Sequence, residues 1–482
     1  MSKIYLENEI SLGIVLIVGL FFVSIGYFYS QKLKDSNYYI VGKRNENTFS
    51  LTSSLTASAL GAWILFGPAS AATFGGIGAV IGYSLGASMP LILLYNFGPK
   101  IRKEFPNGLS LTQFIRKRFG LNILKLCLFL ILFYLIIFLI AEVTAIAALL
   151  NYLSNTPLWI TSFFTLTICL LYVIRGGFKL SIITDKFQFI FIILILAFSF
   201  FLIMNTVNYS GLSLIKKNSS HLISHLYFNN YTVGLTFFIA VAATNLFHQG
   251  NWQRVFSAKN NFILKKSLIF SSIVIFLIVF WMGFTGLISY SLNAKVIPDL
   301  AFFELALTNS KIIYVILFLI LALSLTLSTI DTLINAISSI IIVDGKKFLK
   351  SFSDKKIVKK TNYIIFAISL IVLLVSSKGY SILYLFLIAD LICCAAVVTI
   401  FFAFVKNTRH NNFAHYSITS GLFFGLLFFP DQSFEKSILV GNLVPLNYFN
   451  DLITQNLLFF SFILATLVPL FVIYSFKIIK YK

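Results

Sequence analysis

Three oxygen groups stand at helical spacing in the run Leu325-Thr326-Leu327-Ser328-Thr329. Ser328 and Thr329 follow Leu325 by three and four residues. On a helix this brings one carbonyl and two hydroxyls to a single point, a neutral set that suits a dehydrated Na+. The same hydroxyls can instead bond back to their own helix, and the spacing leaves both readings open. A second stretch, residues 51–70, is rich in Ser, Thr and Ala and carries Gly61, Gly67 and Pro68. These make a helix easy to interrupt. An unwound turn exposes carbonyls to a cation, whereas close packing through small residues explains the same composition. Thr244, Asn245, His248 and Gln249 gather just before Gln253 and Arg254. Amides and an imidazole there can bind a neutral polar solute. The plainer reading is a polar helix end with Arg254 facing inward.

Acids inside apolar runs are the other sites of interest, because an ionisable group at membrane depth is costly. Asp390 sits in Leu387-Ile-Ala-Asp390-Leu-Ile-Cys-Cys, and Glu142 in an equally apolar segment. Each reads either as a proton or solute site, or as a neutral acid held by a hydrogen bond. Asp185 follows the loop signal Gly176-Gly177. It attracts a cation at the inner mouth, pairs with Lys179 or Lys186, or serves as a charge at a helix start. No Walker A loop, HExxH pair or Gly-x-Ser-x-Gly elbow occurs. The four cysteines lie in apolar runs with no ligand spacing. Neither ATP-driven nor covalent chemistry is indicated, and no cofactor is expected.

The elements that must carry these residues are membrane helices. Of the 482 residues, 59% are hydrophobic and 11% charged, less than half the charge of a soluble domain, about 25%. A soluble enzyme is excluded. Thirteen apolar segments are long enough to span a bilayer: approximately 9–31, 50–74, 77–97, 122–151, 157–175, 180–207, 232–249, 264–292, 310–342, 360–377, 380–405, 413–430 and 455–477. The first follows Glu7 and Glu9, lacks a basic leader region and reads as a retained helix. Lys and Arg divide 29 to 7 between alternate sets of loops. By the positive-inside rule this puts the N-terminus outside and the C-terminus inside, in the cytoplasmic membrane. The net charge of +21 is thereby a matter of topology and anionic lipid, not nucleic acid. No appended soluble domain and no obligatory protein partner are expected.

Four motifs in register resemble the sodium/solute symporter family: the Ser-rich span after Val41-Gly42-Lys43-Arg44; Gly176-Gly177-Phe178 with Thr184-Asp185 and Gln188; Trp252-Gln253-Arg254-Val255-Phe256-Ser257-Ala258-Lys259; and Leu327-Ser328-Thr329 followed by Asp344. The resemblance covers residues 41–405. It implies an all-α polytopic fold of the leucine-transporter type, two five-helix repeats of inverted topology at 50–207 and 232–405. An outer loop, 208–231, would join them. Residues 1–49 would supply an extra helix and inner loop, and 406–482 two peripheral helices. It also implies that Na+ is held by carbonyls of Ala57, Leu60 and Leu325 and hydroxyls of Ser328 and Thr329, with Asp185 on the ion's exit route. Some members carry Asp or Asn where Ala59 stands, so that ligation is absent. Sugar-transporting members place Tyr near Thr244, which argues against a sugar.

The expected function is Na+-coupled symport of a small polar solute by alternating access. Solute candidates are Trp63, Thr244, Asn245, His248, Gln249 and Asp390. Short likenesses to the urea-active branch (Gly82-Tyr-Ser-Leu-Gly-Ala-Ser, Pro106-Asn107-Gly, Asn251-Trp-Gln-Arg, Leu387-Ile-Ala-Asp390) point to urea or a similar amide; an amino acid or carboxylate stays open. Proton coupling through Asp390, Glu142 or His248, a passive channel and a transport-inactive sensor are the alternatives.

Overall fold

The computed structural model of the chain describes residues 5–29, 36–308, 311–348, 354–406, 411–440 and 451–481. Among them there is no strand, only two isolated bridges. Part of the charge expected on the inner loops (Lys32, Lys34, Lys350, Arg409 and Lys482) lies outside the described residues.

The main helices are α1 (Asn8–Tyr29), α2 (Ser36–Val41), α3 (Thr48–Ala59), α4 (Trp63–Glu104), α5 (Leu111–Ser154), α6 (Leu158–Thr206), α7 (Gly211–Asn218), α8 (Asn229–Phe247), α9 (Gln249–Ser257), α10 (Asn261–Leu292), α11 (Ala301–Ala306), α12 (Ile312–Phe348), α13 (Asp354–Ser376), α14 (Ile382–Lys406), α15 (Asn411–Phe428) and α16 (Leu457–Tyr481). Among the described residues, ten helices are long and apolar enough to cross a membrane, and Leu158–Val173 and Phe413–Phe428 are shorter apolar helices.

The long helices are not straight rods. A 42-residue α4 would reach about 63 Å, twice the hydrocarbon thickness. Gly76, at φ 59°, interrupts it, a left-handed geometry that glycine adopts without a Cβ clash. Gly177 (φ 56°) does the same in α6. The expected span 50–74 is likewise two pieces, α3 and the start of α4, parted at residues 60–62. Gly61 lies in that gap, while Gly67 and Pro68 are carried inside α4.

The chain is arranged inside out relative to a soluble protein. Ile17, Phe129, Leu194, Leu277, Leu374 and Phe471 are exposed, while Glu142, Asp185, Arg254, Asp331 and Asp390 are buried. The outer apolar side chains match lipid, and the core holds the polar groups. α4 packs on α8 and α10, and α12 on α5 and α6. The α4–α8 crossing depends on absent side chains. A methyl on Gly78 or Gly82 would strike the carbonyls of Asn230 or Gly234, so only glycine lets the backbones touch. α1 lies against α6 and α12, and α15 and α16 pack on each other and on α14.

Candidate ion and solute site

Two helix breaks face each other. The first runs between Ala59 and Trp63. The second is at His248, which sits at φ −60°, ψ 110° between α8 and α9. His248 caps the new helix with its ring: Nδ1 accepts the Gly250 N–H at 3.1 Å. In the neutral ring the proton then resides on Nε2, which leaves that nitrogen a donor.

A small cavity of about 30 Å3 lies between the breaks. Ser58, Ala59 and Trp63 line it from the first, and Thr244, Asn245, His248 and Asn251 from the second; Thr329 and Asp390 complete its polar wall. Tyr83, Phe138 and Phe386 add aromatic rings. Asp390 accepts from Thr244 Oγ1 at 2.5 Å, the hydrogen bond that a buried carboxyl requires. Among the described residues, no Lys or Arg lines the cavity. Trp63 stacks on Tyr83 (5.5 Å, 12°), and Tyr83 on Phe237 (4.7 Å, 18°). Phe237 also borders a second cavity of about 390 Å3 with Ser70 and Asp299. The stack therefore stands between the two chambers.

Five of the six expected solute residues meet at this cavity. Gln249 does not: its amide bonds the Leu109 carbonyl (3.1 Å) and the Leu111 N–H (3.3 Å), holding the α4–α5 turn. Tyr83 and Asn251 entered the sequence reading only within motifs, and Phe138 and Phe386 not at all. Nothing in a Phe-rich span distinguishes a ring that faces a cavity.

Beside the cavity lie the expected ion ligands. Thr329 Oγ1 donates to the Leu325 carbonyl at 3.2 Å, and Ser328 Oγ to Asp185 Oδ1 at 2.6 Å. Both hydroxyls use their proton on internal acceptors, and both keep lone pairs for a cation. Ala57, Leu60 and Leu325 are fully buried, and Leu60, at φ −96°, ψ 84°, has left the helix.

Asp185 corrects an expectation. Neither Lys179 nor Lys186 is its partner. Arg254 Nη2 is, at 2.8 Å, with Ser54 Oγ donating at 2.5 Å. Lys179 pairs with Glu46 instead. Arg254 is thus no inward-facing charge; it is 1% exposed. It also donates to Ser54 (2.8 Å), the Gly250 carbonyl (3.0 Å) and Thr332 (3.1 Å). One charge so binds α3, α6, α9 and α12. Next to it Asp331, to which the sequence alone assigns no role, accepts from Ser181 (2.7 Å), Tyr172 (3.1 Å) and Thr184 (3.2 Å). An acid inside an apolar span was the available signal. Among the described residues Glu142 has no cationic partner; its Oε2 accepts the Ala62 N–H at 2.8 Å.

The model of the sodium:solute symporter family matches residues 39–413. The chain belongs to that family. This symporter is 25% identical to the spermidine transporter DUR31 of Candida albicans over 82% of its own length and 75% of the relative's. It is 28% identical to the sodium-coupled monocarboxylate transporter 2 of Mus musculus over 71% of its length, but spans only 59% of that relative. Among solved structures it is similar to a Na+-coupled sialic acid symporter in a substrate-bound outward-open state (TM-score 0.64, 16% identity, 85% of this chain and 94% of that one). It is also similar to Mhp1, a nucleobase-cation-symport-1 family transporter in a closed conformation (TM-score 0.53, 17% identity, 91% and 95%). These fix the fold as leucine-transporter-like. The symporter is an integral membrane transporter, not an enzyme, and Na+ is its coupling ion.

Proposed function

We propose that this symporter carries a small polar nitrogenous solute, urea or a similar small amide, inward with Na+. The observation that carries the reading is the cavity between the two breaks, with Asp390, Asn245, Asn251 and Thr244 around it and, among the described residues, no Lys or Arg. An amide offers N–H donors to Asp390 and an oxygen to His248 Nε2. A monocarboxylate, the cargo named for one relative, would find no counter-charge, and a desolvated anion without one is costly. A second reading follows from the same wall. Asp390 with Trp63, Tyr83, Phe138 and Phe386 suits an organic cation, and spermidine is the cargo named for another relative.

Na+ is assigned to Ala57, Leu60, Leu325, Ser328 and Thr329, with release past Asp185. The two repeats are assigned to 50–207 and 232–405, the N-terminus to the outside and the C-terminus to the cytoplasm of the cytoplasmic membrane. Ion and solute favour the same arrangement of the bundle, so each raises the other's affinity by the same factor. The test is uptake of labelled urea, spermidine, amino acids and monocarboxylates into proteoliposomes, with an inward Na+ gradient or with equal Na+ on both sides. Urea accumulation only under the gradient supports the first reading, and spermidine accumulation the second. Accumulation driven by a pH gradient alone sinks both.

A further inference from the structure

Glu142 lies on α5, fully buried, at the first break. Its two carboxyl oxygens have different fates. Oε2 accepts the Ala62 N–H at 2.8 Å. Oε1 has no hydrogen-bond partner among the described residues. A buried polar atom without a partner calls for an explanation, and for a carboxylate the penalty is large unless a cation sits beside it. Arg254, a buried cation, is committed to Asp185. The position of Oε1 shows what it faces. A Cβ on Gly61 would collide with Oε1 and would lie 2.8 Å from Thr329 Oγ1. The two oxygens therefore crowd one point, in space kept open because residue 61 has no side chain. A hard cation with bonds of roughly 2.4 Å reaches both.

We propose that Glu142 is a charged ligand of Na+, completing with Oε1 the set formed by Ala57, Leu60, Leu325, Ser328 and Thr329. The proposal rests on that assignment of the ion. The bound ion and the carboxylate neutralise each other, which five neutral oxygens cannot do. The same side chain links ion to solute: Oε2 holds the amide of Ala62, and the next residue, Trp63, is a wall of the cavity. With Na+ on Oε1, the start of α4 is fixed where the solute meets it.

The test is binding of 22Na+ to the purified full chain without solute, by scintillation proximity, for wild type, Glu142→Gln, Ser328→Ala and Thr329→Ala. Gln keeps an acceptor for the Ala62 amide and preserves the break, but turns N–H donors or a neutral oxygen toward the ion. At least a tenfold rise in half-saturating Na+ for Glu142→Gln, alongside a rise for both hydroxyl variants, is expected. Weakening by the hydroxyl variants with Glu142→Gln unchanged overturns the Glu142 ligand and leaves the ion site standing. Wild-type binding in all three variants overturns the site itself. Weakening by Glu142→Gln alone overturns the shared site. If the Gln variant does not fold, Glu142→Asp, which keeps the charge and retracts it, is read for Na+ over Li+ preference. A changed preference is expected, and an unchanged one with wild-type affinity overturns the proposal.

Discussion

Replacing Arg254 with Gln should be among the most damaging polar substitutions in the chain, and replacing Asp185 with Asn at the same time should repair much of it. Both groups are out of solvent, at 1% and 0% side-chain exposure. Removing one partner of such a pair leaves an uncompensated buried charge, at roughly 3–5 kcal/mol. The Arg254 side chain also donates to Ser54, the Gly250 carbonyl and Thr332; a Gln amide has two N–H donors for three bonds, so one more bond is lost, at about 1 kcal/mol net. Arg254→Gln is therefore expected to lose about 4–6 kcal/mol. Asp185→Asn in the same chain removes the stranded charge and keeps a side chain that can bond Ser54 and Ser328. The double variant should recover about 2–3 kcal/mol of the loss, a coupling typical of groups in contact. Reversible unfolding in mixed micelles, read by tryptophan fluorescence for wild type, both singles and the double, gives the cycle. A single-variant loss below about 1 kcal/mol, or a double variant no better than Arg254→Gln, would refute the claim that an ion pair holds these four helices.

Other outcomes follow from neighbouring geometry. Ser328→Ala and Thr329→Ala should each raise the half-saturating Na+ of uptake about tenfold, the equivalent of about 1.4 kcal/mol; unchanged Na+ dependence removes both from the ion site. Asp390→Asn should weaken solute uptake at least tenfold while 22Na+ binding without solute stays as in wild type, because its carboxyl bonds Thr244, which is outside the proposed ion-ligand set. Lys179 Nζ lies 2.5 Å from Glu46, and the Glu46 backbone bonds Ser257 and Lys259. Glu46→Gln should loosen this latch and speed labelling of a cysteine placed at Ser53, against four native cysteines that are all buried; an unchanged rate denies the latch. Gly82→Leu should abolish a monodisperse peak in detergent, since the α4–α8 backbones touch there.

The sequence carried the fold because its strongest signals are long-range in physics and local in reading. Runs such as the one ending at Lys406 can only be membrane helices. The first break was legible as Gly61 in a Ser-rich span. The second was legible as polar residues crowding His248, though not that the imidazole itself would cap α9. Pairings across the bundle were not legible. Asp185 has two lysines within six residues, and Arg254 is 69 positions away, so proximity in sequence favoured the wrong partners. Gln249 failed similarly: its type fits a solute site, and only the turn of α9 decides that it faces Leu109 and Leu111.

With Na+ at the proposed site, coupling has a physical location in Thr329. Its side chain lines the solute cavity, bonds the carbonyl of Leu325, and crowds the same gap at Gly61 as Glu142 Oε1. An ion drawn to that oxygen therefore sets one wall of the cavity and the amide end of α4 at once. A solute that packs on Trp63 and Thr329 in turn holds the ion's ligands in place. Na+ affinity measured with and without saturating solute should differ by one factor, and solute affinity with and without Na+ by the same factor. Thr329→Ala should shrink both ratios together, whereas Asn245→Ala, in the wall formed by α8, should lower solute affinity and leave the ratio intact. A Thr329→Ala protein that loses Na+ affinity yet keeps the wild-type ratio would place the link elsewhere.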